Sequence, residues 1–317
     1  MANFVITKTI MQKSLQIILP AHNEAGNIIP IYDEIISHVD NQKYHLSILF
    51  VDDGSIDETL AIVSQLAAQD SRVKFIELSR NFGHQNAIKA GLDYSTAEVV
   101  IMMDCDLQHP PELLEKILGA YEGGYDIVRT HRMDAEHQGF IKRSTSSLFY
   151  RVVNTFSEIK MEQGSADFRL VSGKALDQLK AFNEFDLFYR GLIKWMGFRQ
   201  ISIEYTPNER KAGVTKYTVK RMLSFGLKGF TSFSTKPLYF AAYLGVTVSF
   251  LSILYIPYIF YSFYIGTQVA GWASTIVTIT FFGGLNLMVL GIIGIYLSKL
   301  FLQSKDRPHY IVKSSNI

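Results

Sequence analysis

The stretch Glu98-Val-Val-Ile-Met-Met-Asp-Cys-Asp-Leu-Gln-His-Pro-Pro-Glu112 decides the fold of this chain. Its apolar run, Val99–Met103, is followed at once by two carboxylates, Asp104 and Asp106. A short apolar run that ends in polar turn residues is typical of a buried strand, and the two prolines stand where a following helix begins. The stretch therefore predicts a strand, a polar turn and a helix in succession.

The same alternation of short apolar runs and longer amphipathic segments extends from Leu15 to about Val171. Four further runs are strand candidates: Leu15–Leu19, Leu46–Val51, Val73–Leu78 and Asp126–Val128. Alternation of this kind indicates βαβ units, and so an α/β, Rossmann-like fold with a mostly parallel sheet. Ligands of such sheets gather at the carboxyl ends of the strands, so the residues after each run are the first candidates for function.

Three of these strand ends carry polar chemistry: Pro20-Ala-His-Asn-Glu24, Asp52-Asp-Gly-Ser55 and the turn after Met103. Two carboxylates one residue apart can hold a hard divalent cation, and Gln108 offers a third oxygen ligand. An isolated Asp-x-Asp is also common in surface turns. The Asp-Asp-Gly-Ser sequence is equally typical of a turn with a helix cap, so both interpretations stay open on the residues alone.

The C-terminal third is of a different kind, because Pro237–Ser298 contains no Asp, Glu, Lys or Arg. A hydrocarbon core of about 30 Å needs about 20 apolar residues for each spanning helix. Residues 237–302 therefore predict two transmembrane helices, with a break at Gly266–Gly271. Residues 215–236 mix apolar and basic side chains and predict an amphipathic juxtamembrane helix at the membrane interface; a linker helix packed on the soluble domain is the alternative.

Charge divides the chain in the same way. Residues 1–209 carry 20 Lys+Arg and 28 Asp+Glu, whereas residues 210–317 carry 11 basic residues and a single acid, Asp306. Basic residues flank the apolar block on both sides, which predicts that both termini and the soluble domain are cytoplasmic, with 303–317 as a basic tail. The only cysteine, Cys105, excludes an intramolecular disulfide framework. Residues 1–13 have no secretory signal pattern and are interpreted as a flexible leader.

Five motifs in this order resemble the family-2 glycosyltransferases with a GT-A fold. They are Leu19-Pro-Ala-His-Asn-Glu24, Val51-Asp-Asp-Gly-Ser-Ile-Asp57, Leu78-Ser-Arg-Asn-Phe-Gly-His-Gln85, Asp104-Cys-Asp-Leu-Gln-His-Pro-Pro-Glu112 and Gly164-Ser-Ala-Asp-Phe-Arg-Leu170. The resemblance covers about residues 14–304, with 14–214 as the catalytic domain. Within this family, the chain is similar to the polyisoprenyl-phosphate branch, that is, to dolichyl-phosphate mannose synthase and to bacterial bactoprenol glucosyltransferases.

The resemblance implies roles for particular residues of this sequence. The nucleotide site would be lined by Pro20, His22, Glu24, Asp52, Asp104 and Lys216. The cofactor would be Mg²⁺ or Mn²⁺, held by Asp104, Asp106 and Gln108. The residues with catalytic roles would be Asp106, Asp167 and Arg210, and those at the acceptor phosphate would be Arg132 and Arg143. His22 departs from the tyrosine often found there, which puts its contact with the base in question.

The resemblance also implies an activity: transfer of a sugar, glucose from UDP-glucose in the first place, to undecaprenyl phosphate with inversion. The partners would then be a nucleotide diphosphate sugar, a polyisoprenyl phosphate lipid and the plasma membrane of a bacterium, with no nucleic acid. A homo-oligomer is expected from the small residues Gly283-Gly284 and Gly291-x-x-Gly294.

Two alternatives remain open from the sequence, and a third is disfavoured because its features are missing. Transfer of another sugar, from GDP-mannose, UDP-GlcNAc or a UDP-pentose, would use much the same residues. A polysaccharide synthase would show a Gln-x-x-Arg-Trp motif and more spans, neither of which this sequence has. The alternative of another class is a catalytically inactive membrane scaffold or nucleotide-sugar-binding protein.

Overall fold

A computed structural model of the chain describes residues 12–40, 42–110, 112–133, 164–207, 234–265 and 271–317. The chain divides into two compact units. The first contains a single β-sheet with its covering helices and includes the last ten residues, Pro308–Ile317. The second contains two long apolar helices. The predicted leader, the predicted amphipathic helix and the predicted break after residue 265 lie almost wholly outside the described residues.

Eight strands form the sheet in the order β7-β5-β6-β4-β1-β2-β3-β8. They are β1 (Lys13–Ala21), β2 (Tyr44–Asp52), β3 (Val73–Leu78), β4 (Val99–Met102), β5 (Ile127–Arg132), β6 (Ser165–Ser172), β7 (Gln200–Tyr205) and β8 (Val312–Ser315). β1, β2, β3 and β4 pair in parallel, as do β5 and β7, whereas β6 and β8 pair antiparallel to their neighbours. The prediction of a mostly parallel, Rossmann-like sheet is confirmed, and each of the five predicted strands is present.

Eight helices are described. They are α1 (Ile28–His38), α2 (Thr59–Gln69), α3 (His84–Tyr94), α4 (Glu112–Glu122), α5 (Gly173–Ala181), α6 (Tyr189–Trp195), α7 (Lys236–Ile265) and α8 (Trp272–Ser304). The central strands read as continuous apolar runs because helices cover both faces of the sheet. Ile17, Ile48 and Ile101 are fully buried on adjacent strands.

The close packing of α3 on the sheet depends on one glycine. A Cβ added at Gly91 would overlap Cγ2 of Ile18 and would lie 3.3 Å from Cγ2 of Val51. Both of these side chains are fully buried, so neither has room to move away. Only a residue without a side chain allows α3 to lie this close to β1 and β2.

Gly91→Ala is therefore expected to lower the free energy of unfolding by about 1–3 kcal/mol, the usual cost of overpacking a core. Thermal denaturation of the detergent-solubilised protein measures the effect. Gly119→Ala is the matched control, because Gly119 is an exposed position of α4 and an added Cβ meets nothing within 4 Å. The control is expected to be neutral or to stabilise by up to about 1 kcal/mol through helix propensity. Equal midpoints for the two variants would contradict this account of Gly91.

The two apolar helices of the second unit expose large hydrophobic side chains along their lengths. α7 has 30 residues with Lys236 as its one charge, and α8 has 33. Within the described residues, one helix, Val277–Ser304, is long and apolar enough to cross a membrane by length and composition.

The predicted basic tail over 303–317 contains regular structure. α8 continues to Ser304, and Val312–Ser315 form β8 beside β3, at one edge of the sheet. The segment was not recognisable as a strand because it is only four residues long and mostly polar.

Candidate active site

The carboxyl ends of the parallel strands β1, β2 and β4 bring the predicted polar turns together, because neighbouring strands end in register. Pro20 pairs with Val51 and Ala21 with Asp52, while Ile18 pairs with Met102. The turn after each strand therefore opens at the same edge of the sheet. This is the edge at which ligands bind in sheets of this type.

Asp52 is placed as the sequence predicts, at the last residue of β2, and it is buried, with 3% exposure. Its Oδ2 accepts a hydrogen bond from the backbone N–H of Ser55 at 3.2 Å. Its Oδ1 is buried without a partner among the described residues. Burial is the largest effect on this carboxyl group and raises the pKa of Asp52. A buried acceptor of this kind is completed by a ligand that donates a hydrogen bond.

The neighbouring Asp53 has a structural role. Its Oδ1 accepts the backbone N–H of Phe82 at 2.7 Å, and its Oδ2 accepts that of Gly83 at 2.9 Å. Gly54, with a φ of 65°, lies so close to this loop that an added Cβ would stand 2.5 Å from the carbonyl carbon of Arg80. Asp53 and Gly54 together lock the loop between β3 and α3 against the loop after β2.

The turn after β1 is held by its own polar residues. The ring Nδ1 of His22 lies 2.9 Å from the backbone oxygen of Asp53, and Asn27 donates to the carboxylate of Glu24 at 2.6 Å. The Cys105 thiol donates to the backbone oxygen of Pro20 at 3.5 Å. Pro20, His22 and Glu24 thus lie together with Asp52 at this edge, and their predicted contacts with a nucleotide stay predictions.

Asp104 and Asp106 follow β4 directly. The side chain of Asp104 is 34% exposed, and its Oδ1 lies 3.4 Å from Nε2 of His84. Removal from bulk water raises the pKa of Asp104; the charge of His84 opposes this, and the nearby carboxylates of Asp167 and Asp106 add to it. Mutual repulsion of carboxylates is relieved by a cation among them.

Gln108, the third predicted metal ligand, is buried and already engaged. Its Oε1 accepts a hydrogen bond from Nη1 of Arg132 at 3.1 Å, and its backbone N–H donates to Asp106. The structure thus brings Arg132 beside the turn that carries Asp106. Within the described part of the chain there is no ready group of three or more His, Cys, Asp or Glu side chains that could hold a metal ion.

Asp167 lies at the centre of a charged cluster. Arg190 donates to both of its oxygens, through Nε at 2.9 Å and Nη2 at 2.8 Å, and Nη2 of Arg169 lies 3.4 Å away. Nε2 of His84 lies 3.6 Å from its Oδ2. Burial would raise the pKa of Asp167, but the charge of Arg190 and the bonds from His84 and Arg190 outweigh it, so the pKa lies well below its usual value.

His84 joins this cluster to Asp104, since its Nε2 faces one oxygen of each carboxylate. Burial by itself lowers the pKa of His84. The negative charges of Asp104 and then Asp167 outweigh burial and raise the pKa to about 9. The ring is therefore an imidazolium at neutral pH. The result is a continuous line of alternating charges that runs from Arg190 through Asp167 and His84 to Asp104.

His84 and Arg190 were not among the predicted site residues. His84 could have been found, because it opens α3 just after the end of β3 and so meets the same strand-end criterion as Asp104. Arg190 had no such signal: it lies on α6, which is separated from the strand of Asp167 by α5, and only the tertiary fold brings it to Asp167. Arg143, Arg210 and Lys216 lie outside the described residues.

His109 completes one wall of the site. Its ring lies 4.7 Å from that of Phe168 and 5.4 Å from that of Tyr205, measured between centroids. Neither ring nitrogen has a partner among the described residues, and burial lowers the pKa of His109. The ring is thus a neutral packing element next to Gln108.

The sequence profile of Glycosyl transferase family 2 matches residues 16–179. The uncharacterized glycosyltransferase YkcC of Bacillus subtilis (strain 168) is 39% identical over 300 residues, which cover 94% of this chain and 93% of the relative. The chain belongs to glycosyl transferase family 2.

Two further proteins are similar to this family 2 glycosyltransferase. The bactoprenol glucosyl transferase of Shigella phage SfX is 36% identical over 302 residues, covering 95% of this chain and 99% of the relative. The structure of mannosyltransferase PcManGT from Pyrobaculum calidifontis in complex with GDP-Man and Mn²⁺ has a TM-score of 0.51 at 16% identity. The match covers 92% of this chain and 86% of that one. This second likeness confirms the predicted GT-A fold.

Proposed function

We propose that this family 2 glycosyltransferase moves a glucosyl group from UDP-glucose to undecaprenyl phosphate, with inversion at the anomeric carbon. Relatives named bactoprenol glucosyl transferase match over 95% of its length and support both the sugar and the lipid phosphate acceptor. The observation that carries the proposal is the meeting of two groups at the carboxyl edge of the sheet: Asp52, with a buried Oδ1 that has no partner among the described residues, and the Asp104–Asp106 turn.

The nucleotide would bind at Asp52. Its buried Oδ1 has no partner among the described residues, so an N–H of a base or a ribose hydroxyl can complete it. A buried acceptor left without a donor costs about 1–3 kcal/mol, and a ligand that donates there recovers much of that cost. This oxygen can accept a hydrogen bond from either uridine or guanosine.

Asp104 and Asp106 would hold a divalent cation, Mg²⁺ or Mn²⁺. Two carboxylates supply part of an oxygen shell, and the diphosphate and water can complete it. Burial raises the pKa of Asp104 and the nearby carboxylates of Asp167 and Asp106 add to this, which supports a cation at this position. When bound, the cation neutralises charge on the departing diphosphate. Gln108 Oε1 already accepts a hydrogen bond from Arg132, which leaves one lone pair for the cation.

In the proposed reaction an oxygen of the lipid phosphate forms a bond to the anomeric carbon while the bond from that carbon to the nucleotide diphosphate breaks. The lipid phosphate is already anionic at neutral pH, so no side chain has to remove a proton from it. Asp167 has a low pKa and accepts two hydrogen bonds from Arg190. It is therefore better suited to hold cationic side chains than to act as a general base. Arg132, Arg143, Arg210 and Lys216 remain the proposed partners of the phosphates.

A panel of donors tests the assignment of the sugar. Purified protein in detergent is given undecaprenyl phosphate, Mn²⁺ and one labelled donor at a time, and the label extracted with lipid is counted. UDP-glucose is expected to give the largest signal. A larger signal from GDP-mannose would replace glucose by mannose, and no lipid product from any donor would favour an inactive nucleotide-sugar-binding scaffold.

We also propose that α7 and α8 both cross the membrane, with the catalytic domain and both termini in the cytoplasm. The position of β8 supports an even number of crossings, because β8 follows both helices in the chain and yet pairs with β3 of the catalytic sheet. A single crossing would put β8 and β3 on opposite sides of the bilayer.

Added Cβ atoms at Gly283, Gly284, Gly291 and Gly294 meet nothing within 4 Å, which leaves room for the proposed contact with another copy.

Cysteine labelling of intact cells tests this topology, since the native Cys105 is buried. A membrane-impermeant maleimide is expected to label Gly271→Cys from outside, because Gly271 precedes α8 in the loop between the helices. Ile317→Cys, at the exposed end of the chain, is expected to react only after the cells are opened. Labelling of Ile317→Cys in intact cells would contradict a cytoplasmic C-terminus, and protection of Gly271→Cys in intact cells would contradict the two crossings.

A further inference from the structure

The last residues of the chain form an integral part of the catalytic sheet. β8 pairs antiparallel with β3, and the pairing continues past the end of β3, where the N–H of Ser79 donates to the oxygen of Ile311 at 2.9 Å. The side chain of Asn316 accepts the backbone N–H of Phe75 at 2.6 Å. This segment, Pro308–Ile317, belongs to the same compact unit as the sheet although the apolar helices come before it in sequence.

Its strongest polar contact is with Glu77. Lys313 Nζ and Ser314 Oγ each lie 2.6 Å from a different oxygen of the Glu77 carboxylate, whose side chain is only 12% exposed. Glu77 stands beside Asp52 in the parallel pairing of β2 and β3. Lys313 therefore supplies the positive charge that balances a carboxylate one strand away from the proposed nucleotide acceptor.

A second contact holds α3. Tyr310 Oη donates to Oδ2 of Asp93 at 3.0 Å, near the C-terminal end of that helix. Asp93 also accepts from Lys89 at 2.7 Å. The segment thus contacts the end of β3 on one side and the C-terminal end of α3 on the other.

The loop that joins β3 to α3 is part of the site. It runs from Ser79 to Gly83, its last two N–H groups are bound by Asp53, and its next residue is His84. A shift of the end of β3 would therefore be passed to His84, which lies between Asp104 and Asp167.

We infer that Pro308–Ile317 is a positioning element of the nucleotide site: Lys313 and Tyr310 fix the loop that carries His84, and Lys313 balances Glu77 beside Asp52. The inference rests on the proposed function for the identity of the ligand. The placement of the loop itself does not depend on that identity. The Lys313 side chain is 64% exposed, but the Glu77 carboxylate that it pairs with is only 12% exposed. Loss of Lys313 therefore removes the cation bonded to a nearly buried carboxylate, next to a site that must accept an anionic diphosphate.

The test uses the full chain in detergent with two variants, Lys313→Met and Tyr310→Phe. Hydrogen exchange of residues 79–84 and the dissociation constants of UDP and GDP with Mn²⁺ are measured. Lys313→Met is expected to raise exchange several-fold and to weaken nucleotide binding about tenfold, with a smaller change in the same direction for Tyr310→Phe. The KM for undecaprenyl phosphate is expected to stay within about twofold, because the segment acts on the nucleotide side.

Lys43→Met is the matched control. Lys43 also pairs with a glutamate, Glu122, but at 3.8 Å with both side chains about half exposed, so its loss is expected to change neither exchange at 79–84 nor nucleotide binding. Native exchange at 79–84 in both Lys313→Met and Tyr310→Phe would overturn the inference. If Lys313→Met does not fold, Tyr310→Phe, which removes one hydroxyl, decides by the same readout.

The two proposals fail separately. Faster exchange in Lys313→Met, in a protein that makes no lipid product from any donor, would sustain the positioning role while the proposed function fell. Normal exchange and normal nucleotide binding in Lys313→Met, in a protein that transfers glucose to lipid, would overturn the positioning role while the proposed function stood.

Discussion

Replacement of Asp104 by Asn is expected to lower the rate of sugar transfer to lipid by at least about 10³-fold, on the scale of losing a principal electrostatic contact to the transition state. The change keeps the size of the side chain and removes its charge. It thus removes a ligand of the proposed cation and also the counter-charge of His84, whose Nε2 lies 3.4 Å away. Label in extracted lipid, measured under single-turnover conditions, gives the rate.

The protein should remain folded, because the side chain of Asp104 is 34% exposed and no backbone group depends on it in the described structure. Asp33→Asn, an exposed aspartate on α1, controls for loss of a negative charge and is expected to transfer at the native rate. Asp106→Asn is expected to reduce transfer by a similar factor. If Asp104→Asn retained more than about a tenth of native activity, the carboxylate would not be the cation ligand proposed here.

Asp167→Asn and Arg190→Gln are expected to reduce transfer by about 10²-fold each, the size of effect that a misplaced catalytic group produces. Both oxygens of Asp167 are bonded to Arg190, and this fixed pair sets the position of His84. Because the two residues act as one unit, the double variant should lose little more than either single variant. A base, in contrast, would make Asp167→Asn far more damaging than Arg190→Gln.

The control for this pair is Asp70→Asn. Asp70 makes an equally close pair with Arg72, at 2.7 Å between Oδ2 and Nη2, outside the site. Its loss is expected to lower the thermal midpoint without changing the rate of transfer per folded molecule. Additive losses in the Asp167 and Arg190 double variant would show that the residues act independently and would contradict the positioning role.

The strands of the central sheet could be predicted because their sequences carry the signal of burial on both faces. Val99–Met102 and Ile17–Leu19 are apolar at every position, as parallel strands covered by helices must be. The same reasoning put Asp52 and Asp104 at strand ends, where the structure has them. Local sequence was sufficient here because each of these residues stands at the end of its own apolar run.

Contacts distant in sequence could not be predicted in this way. Glu77 and Lys313 are separated by 236 residues and by both apolar helices, and Val312–Ser315 has no apolar pattern that marks a strand. The bond of Arg132 to Gln108 likewise depends on how β5 lies beside the turn after β4. Arg190 reaches Asp167 only through the packing of α6, and no motif around it points to this.

The most direct test of the central claim is the identity and anomeric configuration of the lipid made by the purified chain. Protein is incubated with UDP-glucose, undecaprenyl phosphate and Mn²⁺, and the extracted product is analysed by NMR and mass spectrometry. Inversion of the α-linked donor predicts a β-linked glucosyl phosphate on the undecaprenyl chain, absent when EDTA is added. An α-linked product, or a glucosylated lipid formed equally well in EDTA, would contradict the account.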